Sequence, residues 1–318
     1  MVLGMHVLNT LGPVFLIILL GVLLSRLRLL DANASRAING CCYWVGLPCL
    51  LLLKIGTATA TRGAATDTSL VLLLGTAVLT AVALFVGWLM KLKPRTLATF
   101  VHTSFRGNLA YVGLPVVYFA FSGTAYEGRA EAVAAITLGV TVVVYNVAAV
   151  LLHLASTHRV SLTAFRRVLA KLATNPLVLS CLVGLAWNHW AHAQGILIPV
   201  VLERTLSLLG QFALPMALIC VGCSLATTPV RGMAGGVMVA ALLKTLFGPC
   251  VAFLIARLLG VGVMETGIAC VLLGAPSAVA AYVLTEQLDG DPPLAAGVIV
   301  TSTLLSAATL SLVVACIQ

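Results

Sequence analysis

Ten runs of apolar residues, each about the length of a bilayer crossing, follow one another along this chain with only short polar connections between them. They lie near residues 8–25, 37–57, 69–90, 97–121, 132–154, 174–191, 200–226, 233–259, 265–288 and 293–316. A spanning helix needs about 20 consecutive apolar residues. Inside lipid each backbone N–H and C=O must find its partner within the protein, which a helix provides. Charged residues make up only 8% of the 318 positions, against about 25% in a soluble domain, so a water-facing surface cannot be built from this supply. The expectation is an all-α polytopic membrane protein without a soluble appendage. Met1 to Ser25 contains no Lys or Arg, and its apolar run is longer than the core of a signal peptide, so it reads as the first span.

The net charge of +9 would point to nucleic acid in a soluble protein, but here its distribution points to topology. Arg26, Arg28 and Arg36 follow the first run, Lys91, Lys93 and Arg95 the third, and Arg159, Arg166, Arg167 and Lys171 the fifth; Arg231 follows the seventh. The opposite connections hold Arg62, Arg129, Arg204 and Arg257, with Lys54 at the edge of the second run. The positive-inside rule then places the odd-numbered connections in the cytoplasm and both termini outside. The membrane expected is a plasma membrane, the inner membrane in a bacterium.

The chain also repeats itself. Pro13 and Pro176, Pro48 and Pro215, and Pro115 and Pro276 are paired at offsets of 161–167 positions. Residues 1–157 and 174–318 form two five-span halves joined by a short basic connection at 158–173. An odd number of spans per half inverts the second half relative to the first. The fourth and ninth runs are interrupted at matched places, Gly113-Leu114-Pro115 and Gly274-Ala275-Pro276. Proline removes a donor and crowds the preceding turn, while Gly113 and Gly274 offer unusual dihedrals and close approach. A pair of broken spans in an inverted repeat is the sequence pointer to the binding site of a secondary transporter.

Each break leaves a half-helix whose N-terminus faces the membrane centre, starting near Val116 and Ser277. Exposed N–H groups and the helix dipole there favour an anion. All nine acidic residues, Asp31, Asp67, Glu127, Glu131, Glu203, Glu265, Glu286, Asp289 and Asp291, sit at span ends or in connections, so none repels an anion at mid-membrane. Asn108 offers two donors and an acceptor close to the first break, and Ser277 is placed to cap the second half-helix. Lys244 and Arg106 lie within spans, where a charge is a functional candidate by default: Lys244 for substrate attraction, and both for a charge pair or gating role.

The same residues resemble the auxin efflux carrier family, including bacterial members that carry malonate or other organic acids. Gly12-Pro13 through Gly21, Leu29-Leu30-Asp31 and Gly46-Leu47-Pro48 are similar to that family's first two spans. Arg106-Gly107-Asn108 followed by Gly113-Leu114-Pro115 resembles its fourth. Asn175-Pro176, Ala213-Leu214-Pro215, Lys244 ahead of Pro249, and Ala275-Pro276 leading to Tyr282-Val283-Leu284-Thr285-Glu286-Gln287 follow in order. The resemblance implies ten helices in two inverted repeats, with the fourth and ninth crossing at the membrane centre and moving against a scaffold of the first, second, sixth and seventh. It also implies a carrier of carboxylates, malonate-like or auxin-like, and a homodimer through the scaffold, for which Gly40, Gly46 and Gly184 would permit close packing. The chain departs from the family in two places. Ser277-Ala278-Val279 stands where bacterial relatives often have an Asn after the second proline, and the central loop is short.

The alternative is a sodium-coupled organic anion symporter of the bile-acid type, whose cation sites need carboxylates that are scarce here. An enzyme is not expected: no H-E-x-x-H, nucleophile elbow or P-loop is present. No cofactor or metal is expected either, since His189 and His192 lie beside Trp187 and Trp190 in an interfacial belt pattern. The expected partners are the small organic anion, lipid, a second copy of the chain and a coupling H+ or Na+, with no role for nucleic acid.

Overall fold

A computed structural model describes residues 2–58, 62–156, 173–196, 198–228 and 234–317; most of the basic connection at 158–173 therefore lies outside the described residues, as does Arg231. The described residues are helical and contain no β-strand. The helices are α1 (Val2–Arg26), α2 (Ala32–Cys41), α3 (Leu47–Gly56), α4 (Arg62–Leu89), α5 (Pro94–Phe105), α6 (Leu114–Phe121), α7 (Glu127–Ser156), α8 (Pro176–Gln194), α9 (Val200–Thr227), α10 (Ala234–Leu242), α11 (Gly248–Leu258), α12 (Val263–Gly274), α13 (Val279–Gln287) and α14 (Pro292–Ile317). Among the described residues, seven helical stretches are long and apolar enough to cross a membrane. The fourth and ninth predicted runs are divided into shorter helices, and the sixth folds as a 19-residue helix.

Local chemistry starts and stops these helices. The Asp31 carboxylate accepts from Ala34 N–H at 2.7 Å and opens α2. Asn175 Oδ1 accepts from Leu177 and Val178 N–H, with Pro176 in the first turn of α8, and Gly195 closes that helix at φ 63°. Side-chain oxygens of this kind satisfy the donors that a helix start leaves free, and proline costs nothing where the N–H has no partner. Leu16, Leu19, Phe85, Trp88, Val201 and Leu258 stand on the outer surface, as a lipid-facing exterior requires.

Among the described residues, three π-helical turns interrupt the helices: Cys42–Gly46, Leu109–Gly113 and Leu243–Phe247. Each ends two residues before a proline, Pro48, Pro115 and Pro249. A proline ring crowds the carbonyl one turn back and leaves it without a donor. A wider turn just ahead shifts that carbonyl and lets the helix continue. Pro115 is therefore absorbed rather than breaking its helix. This corrects the position of the first break, where helix geometry is lost at Arg106-Gly107-Asn108 instead. Gly113 itself is helical, at φ −59° and ψ −53°, so it supplies close approach and no unusual dihedral. The second break runs from Ala275 to Ala278, around Pro276 as the sequence predicts.

The two breaks lie against each other as a short antiparallel bridge between Gly107 and Ser277. Asn108 N–H donates to Pro276 O at 2.7 Å, and Ala278 N–H donates to Arg106 O at 3.0 Å. Interrupted backbone thus finds its partners in the other half of the chain. Around this crossing pack α4, α5, α7, α10, α11, α12 and α14, while α1, α3, α8 and α9 pack on one another as a second group. Within the second group α1 and α9 touch backbone to backbone: a Cβ on Gly222 would lie 2.0 Å from Ile18 O, and one on Gly21 2.2 Å from Ile219 O. Gly46 and Gly184 are likewise spent inside the chain, against Ala213 and Ile55, while Gly40 meets nothing within 4 Å. Two ion pairs join helices at one end of the bundle. Lys54 Nζ meets Glu131 Oε2 at 2.5 Å between α3 and α7, and Arg129 Nη2 meets Glu265 Oε1 at 3.3 Å between α7 and α12.

Candidate functional site

Four half-helices end at the crossing, and their polarities decide its chemistry. The π turn leading into α6 and the helix α13 begin there and present N–H groups; α5 and α12 finish there and present carbonyls. Each carbonyl end has its own cation. Arg106 is the residue that closes α5. Lys244, fully buried on the third π turn, donates its Nζ to Leu273 O in the last turn of α12. Cations at helix C-termini offset the negative end of the dipole, so two bases that look misplaced in an apolar sequence are matched to two interrupted helices.

The two cations then part company. Lys244 sits behind the crossing, where a Cβ on Gly107 would come within 3.1 Å of its Cε and 3.2 Å of its Nζ. Arg106 faces a cavity of about 430 Å³ on the other side. Its Nη2 donates to Asn146 Oδ1 at 3.2 Å, and Asn146 is itself held by a 2.7 Å bond from Nδ2 to Val142 O. Its Nη1 is buried and has no hydrogen-bond partner. A buried guanidinium nitrogen held in place without an acceptor is an exception, because buried donors are almost always satisfied.

The cavity runs between the two groups of helices. Asn39, Tyr43 and Asn175 line it from the α1–α3, α8 and α9 side, and Arg106, Asn108, Tyr111, Tyr145 and Asn146 from the crossing side, with Ala278 to Ala280 at the start of α13. That start carries no side-chain cap, so its first N–H groups are open to a ligand, whereas Asn108 Oδ1 already accepts from Tyr111 N–H at 3.3 Å in the other half-helix. Among the described residues, no acidic one lines the cavity. A second space of about 280 Å³ adjoins it through Asn39, Tyr111, Val279 and Val283 and reaches Asp31, Arg36 and Thr227, so it opens toward the first and seventh connections.

Of the residues singled out from the sequence, Asn108 and Arg106 line this cavity. Gly113, Pro115 and Val116 are buried behind it; a Cβ on Gly113 would meet Leu272 Cδ2 at 2.9 Å. Gly274 packs against Pro249, at 2.7 Å for an added Cβ. Pro276 contributes its carbonyl to the bridge. Ser277 does not cap α13: its N–H donates to Ser302 Oγ at 3.0 Å, and its hydroxyl is buried without a partner. Gly107 and Asn175 were not singled out as site residues. For Gly107 the signal was its place between Arg106 and Asn108; for Asn175 it was an amide beside an apolar run. Replacing Asn146 by Ala frees the guanidinium and should weaken ligand binding about tenfold, the size of one hydrogen bond to a charged group, as titration calorimetry would show.

Paired broken helices meeting over a polar cavity inside a polytopic bundle define a membrane transporter. Over residues 6–314 the chain matches the family profile described as "Membrane transport protein" and belongs to that family, the auxin efflux carrier family. No curated protein matches the chain.

Proposed function

We propose that the protein is a secondary carrier of small organic anions, with malonate-like dicarboxylates or auxin-like aromatic acids as the leading classes. The observation that carries this reading is Arg106: its Nη1 is buried without a partner, it lines a cavity in which no described residue is a carboxylate, and it faces the uncapped N-terminus of α13. A carboxylate placed there would take a bond from the guanidinium and from the first N–H groups of α13, both charge-assisted and both desolvated. Asn108 would shape the site by holding the opposite half-helix. The cation of a sodium symporter would find no carboxylate among the described residues of this cavity, which favours the anion reading.

The reading extends to mechanism. The ten runs form two inverted five-helix repeats, 1–157 and 174–318, crossing at the membrane centre, with both termini outside the cytoplasm of a plasma membrane. The group around the crossing moves against α1, α3, α8 and α9, exposing the cavity alternately to each face. The Lys54–Glu131 pair bridges these two groups, and opening of the other face breaks it. Chemistry on the substrate has no place in this scheme. Counterflow of radiolabelled malonate and indole-3-acetate in proteoliposomes tests it. Asn108→Ala loses a helix cap worth about 1 kcal/mol and should slow flux severalfold while the protein stays folded; unchanged flux would remove Asn108 from the site.

A further inference from the structure

One turn before Arg106, on the same helix, His102 is completely buried, and neither ring nitrogen has a hydrogen-bond partner. A neutral imidazole always carries one donor and one acceptor, so both are left unmet at a cost that a purely structural side chain would avoid. Its ring meets the ring of His153 of α7 edge to face, with centroids 5.3 Å apart. His153 Nδ1 lies 2.9 Å from Ala149 O. A carbonyl only accepts, so Nδ1 carries the hydrogen and Nε2 holds the lone pair that takes the next proton.

The pair lies between two spaces. On one side, Arg106 lines the central cavity. On the other, a Cβ on Gly290 would come within 3.0 Å of His153 Nε2 and 2.6 Å of Thr99 Oγ1. Gly290, with Thr96, Ser156 and Asp291, lines a separate cavity of about 610 Å³, at the end of the bundle where α7 finishes and α14 begins. Asp291 N–H donates to Thr99 Oγ1 at 2.9 Å, and Thr96 Oγ1 donates to Asp291 Oδ2 at 3.0 Å. Buried Thr285, whose hydroxyl has no partner, accepts from Gly290 N–H at its backbone carbonyl, at 2.8 Å. Polar and titratable groups thus extend from that end of the bundle to within a turn of Arg106.

Among the described residues, the charged and titratable groups around His102 are Arg95 and Arg106 on its own helix and at its end, His153 and Tyr145 on α7, and Lys244 on the π turn packed against α5. Asp291 acts through the two threonines. Tyr282 of α13 is half-buried, Glu286 of α13 and Asp67 of α4 are exposed, and α10 and α14 carry no charged residue. The near neighbours are therefore cations or neutral groups. A proton on the pair adds a positive charge beside Arg106, and a bound anion offsets both.

Building on the anion-carrier reading, we infer that His102 and His153 form a proton-binding site coupled to the anion in the central cavity, so that a proton accompanies the substrate. The step forms an N–H bond on an imidazole nitrogen, with the proton drawn from water at the Gly290 end. Thermodynamic linkage makes the effect reciprocal: protons tighten anion binding and the anion tightens proton binding. Lowering the pH should therefore raise anion affinity.

Calorimetric titration of the purified protein with fumarate, malonate and benzoate across the histidine range tests this, with proton uptake followed by an indicator dye in weak buffer. Fumarate and benzoate stay ionised throughout, so their own titration does not enter. Affinity should rise about tenfold between roughly pH 8 and pH 5.5, with proton uptake on binding, and the slope should disappear in His102→Gln and shrink in His153→Gln. Anion binding by the wild type without a slope or proton uptake overturns the inference, as does a slope that survives in both variants. Failure of the wild type to bind any of these carboxylates at any pH contradicts the anion reading itself.

Discussion

On the anion-carrier reading, Arg106→Gln should lower carboxylate affinity about 100-fold while leaving the ligand-free protein folded. The side chain it replaces holds the cationic nitrogen that is buried, oriented and unpartnered at the cavity wall. A charge-assisted bond in a desolvated site accounts for a loss of this size. Gln keeps an amide that can reach Asn146, so the packing around the crossing is preserved and the loss is one of charge. Binding measured by calorimetry, together with the melting temperature of the free protein, separates the two effects. A large drop in melting temperature with intact affinity would assign Arg106 to the fold instead, as a partner for the C-terminus of α5.

Gly107→Val should have the largest effect on the crossing as a whole. At this position even a Cβ comes within 3.1 Å of Lys244 Cε and of Leu109 Cδ2. The lysine has no room to retreat, because it is fully buried and its ammonium is held on Leu273 O. A branched side chain therefore pushes Lys244 off the end of α12 or forces the two breaks apart, removing the bonds from Asn108 to Pro276 and from Ala278 to Arg106. Overpacking and an unsatisfied buried carbonyl together cost about 3 kcal/mol or more. The expected result is a sharply lower melting temperature and no transport, whereas valine at the half-buried helix position Gly40, which has open space around it, should be tolerated.

The helical runs were legible in the sequence because lipid demands length and apolarity of each segment, and neither depends on what lies beside it. The second break was legible because Pro276 sits inside it. The first was displaced from its proline, because the π turn at Leu109–Gly113 absorbs Pro115 and the true interruption is held by backbone bonds from the other half of the chain. Partners so far away in sequence leave no local pattern. The two intramembrane bases were visible as anomalies, yet their roles were not separable. Lys244 is satisfied by a backbone carbonyl, which no residue type announces, and Arg106 became the site-facing cation only once the cavity was known to lie on its side of the crossing. The histidines at 102 and 153 are distant in sequence and have no motif spacing, so their meeting across α5 and α7 belongs to the fold alone.

The central claim, that the crossing binds a carboxylate, is tested most directly by thermal stabilisation of the purified protein against mono- and dicarboxylates, with and without sodium. The account predicts saturable stabilisation by a carboxylate in the absence of sodium, lost in Arg106→Gln. Stabilisation that appears only with sodium, or that survives unchanged in Arg106→Gln, would contradict it.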